Sequence, residues 1–330
     1  MKYEPIAPTE PCQTRRSITA GLASGGLVPR LVAVATVLTL ASALGSSSGS
    51  RGDEPAADDD KVLSEKEKAE RRMEFMMQAL ARYEVVYPGQ PAQVARLHEK
   101  PLLRWTNPVT VVKDGTLVVF TRGGRPDVVC EFQLHNEQVS GIEFSAIRFE
   151  GMELKRGGQT VFSADHGWFK FQDLADAPKP AERAAQRLAQ MRKLAERFVV
   201  VDQFGWNEED IQRYTLRLLP QPVYRYKEPD ENVDGGLFVF AQGTNPEAVL
   251  LVEAYGGDER PGWRYGFAPT TVYELTAHLD GEEGPVVWSK PRYLFFDMQT
   301  GPYRAGFYPR SPDDIDLKGQ MPSAKPESGS

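Results

Sequence analysis

The sequence predicts an α+β, mainly β protein. It is expected to hold two tandem antiparallel β-meander units in a pseudo-twofold repeat, with a connecting helix and an N-terminal helix. Three observations lead there. Short runs rich in Val, Leu, Phe and Tyr alternate with Gly/Pro turns over 101–172 and again over 214–308. Two segments with helical apolar spacing stand before those regions. A sixteen-residue stretch recurs at an offset of 120 residues.

The first helix is expected after Ser64, which forms a capping box with Glu67. Ala69, Met73, Met76, Leu80 and Tyr83 recur at steps of three and four, opposite a face of Lys, Glu and Arg. Strand signals follow at Val109–Val112, Leu117–Phe120, Val128–Leu134, Ile142–Ile147 and Val161–Phe162. A second helix is expected from about Pro180 to Phe198. Pro180 suits the first helical position, and Leu188, Met191, Ala195 and Phe198 form its apolar stripe. Strand signals resume from Tyr214 to about Tyr308.

The recurring stretch is DGTLVVFTRGGRPDVV, Asp114 to Val129, against DGGLFVFAQGTNPEAV, Asp234 to Val249. Eight of sixteen positions are identical, including Gly123/Gly243 and Pro126/Pro246. Asp-Gly is a dipeptide of tight turns with positive φ, so Asp114-Gly115 and Asp234-Gly235 are expected to cap matching hairpins. Pro126 and Pro246 are expected just before the next strand, where a missing N–H breaks no ladder bond. Each unit closes its own small barrel, or the two pack face to face into one sandwich.

Composition narrows the function. The 330 residues carry a formal charge of -7 with 26% charged residues of both signs interspersed. A nucleic-acid binder needs clustered cations, so no nucleic-acid partner is expected. Arg15, Arg16 and Arg30 precede an apolar run from Leu31 to Leu44. As a helix that run rises about 21 Å, short of the ~30 Å hydrocarbon core. With Ala41-Ser42-Ala43 it fits a signal peptide, and otherwise an uncleaved anchor. The expected organisation is a signal peptide or anchor at 1–44, a linker at 45–61, and an N-terminal helix and connection at 62–100. The first β-unit follows at 101–172, a helical connector at 173–213, the second β-unit at 214–308, and a disordered tail at 309–330.

No catalytic constellation stands out. Gly45-Ser46-Ser47-Ser48-Gly49 satisfies G-x-S-x-G but lies in the linker, without the flanking strand and helix that motif needs. Cys130 and His135 differ by an odd number, and Cys130 matches Leu250 in the second copy, so Cys130 is expected in the core. His98, His135, His166 and His278 have no metal-ligand spacing. No catalytic residue, metal or cofactor is expected. The candidate partner face is Arg104 and Trp105 in LLRWTNPV, with Arg217, Tyr224, Arg225 and Tyr226 in LRLLPQPVYRY. Packing along half-buried strands explains the same composition.

The segments LRLLPQPVYRY, GGLFVFAQGTNPEAVLLVEA and QMRKLAERF resemble an uncharacterised family of exported proteins from planctomycete-type bacteria, over roughly 101–289. That family often shows His-Glu-Phe after the first hairpin, whereas Ile142 precedes Glu143-Phe144 here. The resemblance implies export and architecture and brings no activity, cofactor or site residue. The expected function is therefore an extracytoplasmic, non-enzymatic interaction or structural role. Its partner is a protein or an envelope component, and membrane contact is limited to an uncleaved N-terminal segment. The alternative is a hydrolase acting on envelope polymers through carboxylates between the two β-units.

Overall fold

A computed structural model of the chain describes residues 63–90, 93–108, 110, 112–135, 140–205, 208–228, 233–256, 261–292 and 299–308. The elements in order are α1 (Glu65–Leu80), β1 (Tyr83–Val86), β2 (Val94–Leu97), β3 (Leu103–Asn107), β4 (Val112–Arg122), β5 (Arg125–Leu134), β6 (Ser140–Ala146), β7 (Met152–Arg156), β8 (Gln159–Ala164) and β9 (Gln172–Asp173). After α2 (Ala184–Ala195) come β10 (Phe198–Phe204), β11 (Gln212–Thr215), β12 (Arg217–Leu218), β13 (Tyr224–Glu228), β14 (Val233–Gln242), β15 (Asn245–Tyr255) and β16 (Gly262–Pro269). The last are β17 (Glu274–Leu279), β18 (Val286–Lys290), β19 (Gln299–Thr300) and β20 (Tyr303–Phe307). The fold is mainly β, antiparallel throughout its described ladders, with two helices. The expected signal segment, linker and tail lie outside the described residues.

One sheet runs β19-β20-β6-β5-β4-β2-β1-β7-β8, with β3 also on β4. A second runs β12-β14-β15-β16-β9, with β13 on β14, and a third β11-β10-β17-β18. The strand that follows β8 pairs with β16, while β20 pairs with β6, so each edge is covered by a late strand from the other half. Asp114 stands opposite Leu134 and Thr121 opposite Pro126; Asp234 stands opposite Ala254 and Ala241 opposite Pro246. Both ladders shift register beside the proline, between Phe120 and Thr121 and between Phe240 and Ala241. A residue without an N–H is accommodated at such a bulge.

The Asp-Gly expectation is corrected. Asp114-Gly115 and Asp234-Gly235 lie inside β4 and β14. The turns instead fall at Gly123-Gly124, with φ of 61° and 90°, and at Gly243-Thr244, with φ of 59° at Gly243. Glycine is needed at 115 and 235 for a different reason. A Cβ at Gly115 would stand 2.5 Å from Cε2 of Trp105, and one at Gly235 would stand 2.3 Å from Cζ of Tyr226. An aromatic ring lies flat against the strand at each place.

Other boundaries also move. Ser64 and Glu67 form the capping box of α1 as expected. Tyr83, expected on the helical stripe, opens β1, and β1 and β2 fall within the segment expected as helix and connection. Pro180 is not the first residue of α2, which starts at Ala184. The chain before it is pinned by Gln190, which accepts from the Ala181 N–H and donates to the Lys179 carbonyl. Phe198 begins β10, because the β-branched run Val199–Val201 pairs along β17.

Three cores result. One lies between β4–β6 and a cover of α1, β1, β7 and β8, and includes Phe75, Met76, Leu80, Cys130, Phe132 and Phe162. Its counterpart lies under α2, β10 and β17 and includes Met191, Leu194, Phe238, Leu250 and Phe267. A third, including Leu117, Val119, Leu237 and Leu251, joins the central strands of the two sheets. Separate cores and a shared one therefore coexist. Met76 and Leu80 are fully buried, and side chains of that kind contribute about 1.5–3 kcal/mol each. Because β5 and β15 are covered on both faces, any polar group on them lies inside the protein.

Candidate functional site

The six residues of the expected partner face are used largely within the fold. Arg104 reaches Asp114 through Nε at 2.8 Å and the Ala69 carbonyl through Nη2 at 2.7 Å, while Arg72 of α1 holds the same Asp114 at 2.9 Å. Arg225 makes the corresponding contacts, to Asp234 at 2.8 Å and to the Ala184 carbonyl at 2.8 Å, and Arg187 of α2 joins at 2.7 Å. Each buried aspartate thus staples a helix to a strand. Trp105 and Tyr226 are buried over their glycines. The Tyr224 hydroxyl donates to the Gly124 carbonyl at 2.9 Å, and exposed Arg217 donates to the Gly243 carbonyl at 2.9 Å. Two of the six lie together on β3 and three on β13, with Arg217 apart on β12.

A different set of groups stands out, and comparing the two halves shows it. Asp127 follows Pro126 on β5, and Glu247 follows Pro246 on β15; their carbonyls accept from Ile147 and Thr270, each at 2.9 Å. Asp127 is balanced: Arg148 lies 3.3 Å away, Arg122 3.2 Å away, and the Tyr87 hydroxyl donates to it. Among the described residues no arginine pairs with Glu247. Asn245 donates to its side chain at 2.7 Å, Thr271 hydrogen-bonds it as well, and Asp202 is the acid whose charge acts on it most. Opposite Leu275, where the register of β7 and β8 places Ala164 opposite Met152, the second half has Lys290.

Glu131 and Glu143, neighbours across β5 and β6, complete the group. Glu131, Glu247 and Asp202 are 0–1% exposed, and Lys290 is 4% exposed. Both Asp202 carboxylate oxygens, and one each on Glu131 and Glu247, have no hydrogen-bond partner among the described residues. Burial disfavours ionised carboxylates. It pushes Glu143 up to about 7 against the Tyr303 hydrogen bond and the Lys290 charge. Burial likewise lifts Asp202 to about 7, opposed by Lys290 and Arg292. Glu131 and Glu247 are raised well above the carboxylate range by burial, reinforced by each other's acidic neighbours. Burial brings the Lys290 ammonium down to about 7, against the pull of Glu143, Asp202 and Glu247. Titratable groups so displaced are candidates for function.

This cluster backs onto an open cleft of about 340 Å³. Trp168, Phe267 and Trp288 wall it, and Lys290 and Tyr303 line it from the side of the carboxylates. Trp288 stacks on Phe267 at 5.4 Å between ring centres, and Trp168 is 39% exposed at the rim. The Tyr303 hydroxyl donates to Glu143, the Lys290 ammonium donates to the Tyr273 carbonyl, and the ammonium lies 5.2 Å from the centre of the Tyr303 ring. Phe169 closes the bottom by resting on Gly266, where a Cβ would meet its ring at 2.5 Å. Lys170 and Lys290 line the cleft, and no carboxylate among the described residues does. Among the described residues no three His, Cys, Asp or Glu side chains are placed to hold a metal ion.

Neither Glu131 nor Lys290 was among the residues expected at a site. The usable signal was an acidic residue interrupting an apolar run, as in VVVDQF and VVCEFQL, since such a run is covered on both faces. The chain was compared with family models, curated proteins and solved structures, and none matches. No described helix is long and apolar enough to cross a membrane.

Proposed function

We propose that this is an extracytoplasmic binding protein whose aromatic cleft takes a small ring-bearing ligand with an anionic group. The observation that carries the reading is the cleft itself, walled by Trp168, Phe267 and Trp288 and carrying two lysines and no carboxylate on its lining. Flat rings offer apolar area and face or edge contacts at low conformational cost, and a few polar groups fix orientation. The apolar run at 31–44 supports export, and N-terminal sequencing from the native host checks it. A mature chain that keeps residues 1–41 and stays in the cytoplasm overturns that part. The shared registers of β4–β5 and β14–β15, with the paired aspartate staples, support duplication of one unit.

The binding reading is tested with the dye anilinonaphthalene sulfonate, a ring-bearing anion, by energy transfer from tryptophan. Saturable one-to-one binding is expected, weakened about three- to tenfold by Trp288→Ala, since an aromatic pair is worth about 0.5–1.5 kcal/mol beyond its area. Binding that is absent, or equal in Trp288→Ala and Trp168→Ala, overturns it.

The hydrolase reading draws support from one observation, the convergence of Glu131, Glu143, Glu247 and Asp202 between the two sheets. None of the four lines the cleft. Release of product from a nitrophenyl glycoside, abolished in Glu143→Gln, would favour it over binding alone.

A further inference from the structure

We infer that Lys290 is a covalent anchor, its amine forming an imine with a ring-bearing aldehyde or ketone held in the aromatic cleft. This rests on the reading of the cleft as a ligand site. Four features of the structure point to it.

First, Lys290 puts an ionisable amine on a buried position of β18, opposite Leu275. Second, Lys290 is 4% exposed yet is one of the residues that line the cleft, so it borders the ligand space while held out of bulk water. Third, the amine is positioned by the Tyr273 carbonyl and by the Tyr303 ring. Fourth, Tyr303 also lines the cleft, and its hydroxyl donates to Glu143, whose charge acts on Lys290, so a phenol and a carboxyl belong to the same group as the amine. A desolvated lysine in such surroundings is the amine that attacks carbonyl carbon at neutral pH, because a fraction of it carries a free lone pair. Burial against the acidic neighbours brings this amine to about 7.

The step balances without a co-reactant. The neutral amine nitrogen attacks the carbonyl carbon, the C=O π pair passes to oxygen, and the oxygen takes a proton from the Tyr303–Glu143 pair. The nitrogen returns a proton to that pair. The carbinolamine then loses its hydroxyl as water, with a proton from the same pair, as the nitrogen lone pair forms the C=N bond. The iminium nitrogen then gives its remaining proton back to that pair, so amine and carbonyl become imine and water, and hydrolysis reverses the sequence. Glu131, Glu247, Asp202 and Arg292 face the same group of charges and set how many protons it holds.

The test is reductive trapping on the native, full-length protein near neutral pH. It uses 4-formylbenzoate with cyanoborohydride, followed by peptide mapping. A 4-carboxybenzyl group should appear at Lys290 at least about tenfold faster than at exposed Lys66. Prior saturation with anilinonaphthalene sulfonate should slow labelling at Lys290 and leave Lys66 unchanged. Labelling of Lys290 no faster than Lys66, or unaffected by the dye, overturns the inference. Dye binding that depends on Trp288 alongside an unlabelled Lys290 sinks the anchor and leaves the binding reading standing. Absence of dye binding sinks the binding reading itself.

Discussion

Gly235→Ala separates the close-packing account of Asp234-Gly235 from the turn account. An alanine Cβ at 235 would lie 2.3 Å from Cζ of Tyr226 and 2.6 Å from its hydroxyl oxygen, well inside contact distance. The ring has little room to retreat. Its hydroxyl donates at 2.8 Å to Glu253, which also pairs with Arg125 at 2.7 Å and with Arg264 at 2.6 Å. Overpacking of this kind costs about 1–3 kcal/mol, and loosening a buried hydrogen bond to a charged acceptor costs about 1.5–3 kcal/mol more. The gain from replacing strand glycine by alanine, about 0.5–1 kcal/mol, offsets only part of that. We expect a net loss of about 2–4 kcal/mol by equilibrium urea unfolding. In a Tyr226→Ala background the same substitution should be close to neutral, giving a coupling energy of at least about 1.5 kcal/mol. A turn residue at positive φ would lose stability whichever residue stands at 226. Additive effects, or a Gly235→Ala protein within about 0.5 kcal/mol of the wild type, refute the packing argument.

Two further outcomes follow from buried groups. Asp202 has its folded-state pKa raised to about 7, so folding takes up a proton between the unfolded carboxylate value and that point, and its contribution falls as pH rises through that window. Asp202→Asn should match the wild type near about pH 4 and exceed it by about 2 kcal/mol near about pH 8 in urea titrations, and a variant less stable at the higher pH contradicts the sign. Cys130→Ser should cost about 1–3 kcal/mol by placing a hydroxyl in the first core. Burial also pushes the Cys130 thiol well above its usual pKa. In the native protein its peptide should therefore resist thiol reagents, and modification at a free-thiol rate would count against a core role.

Local signals in the sequence were reliable where they depended on neighbours along the chain. The Ser64–Glu67 capping box placed the start of α1, because both bonds close within one turn. The alternation of Val128, Cys130, Phe132 and Leu134 placed one face of β5 in a core, because successive side chains point to opposite sides. Gly123 and Gly243 were visible as shared features, but the turn was assigned to the wrong glycines. Asp-Gly satisfies a turn and a crowded strand equally well, and only the ring of Trp105 or Tyr226 decides between them.

The sequence by itself determined the class of the fold: mainly antiparallel β with two helices, each helix carrying an apolar stripe that needs a sheet to cover. Periodicity and capping encode that much, since both act over a few residues. The tertiary structure alone decided that Arg104 and Arg225 serve buried aspartates, and that Trp168 lines one cleft with the distant Trp288, Lys290 and Tyr303. It also decided that Glu131, Glu143, Glu247 and Asp202 share one interior. Whether an acid on a strand meets water or another acid depends on what packs against the second face of its sheet. In this protein the answer comes from strands more than a hundred residues away, joined by a shared core.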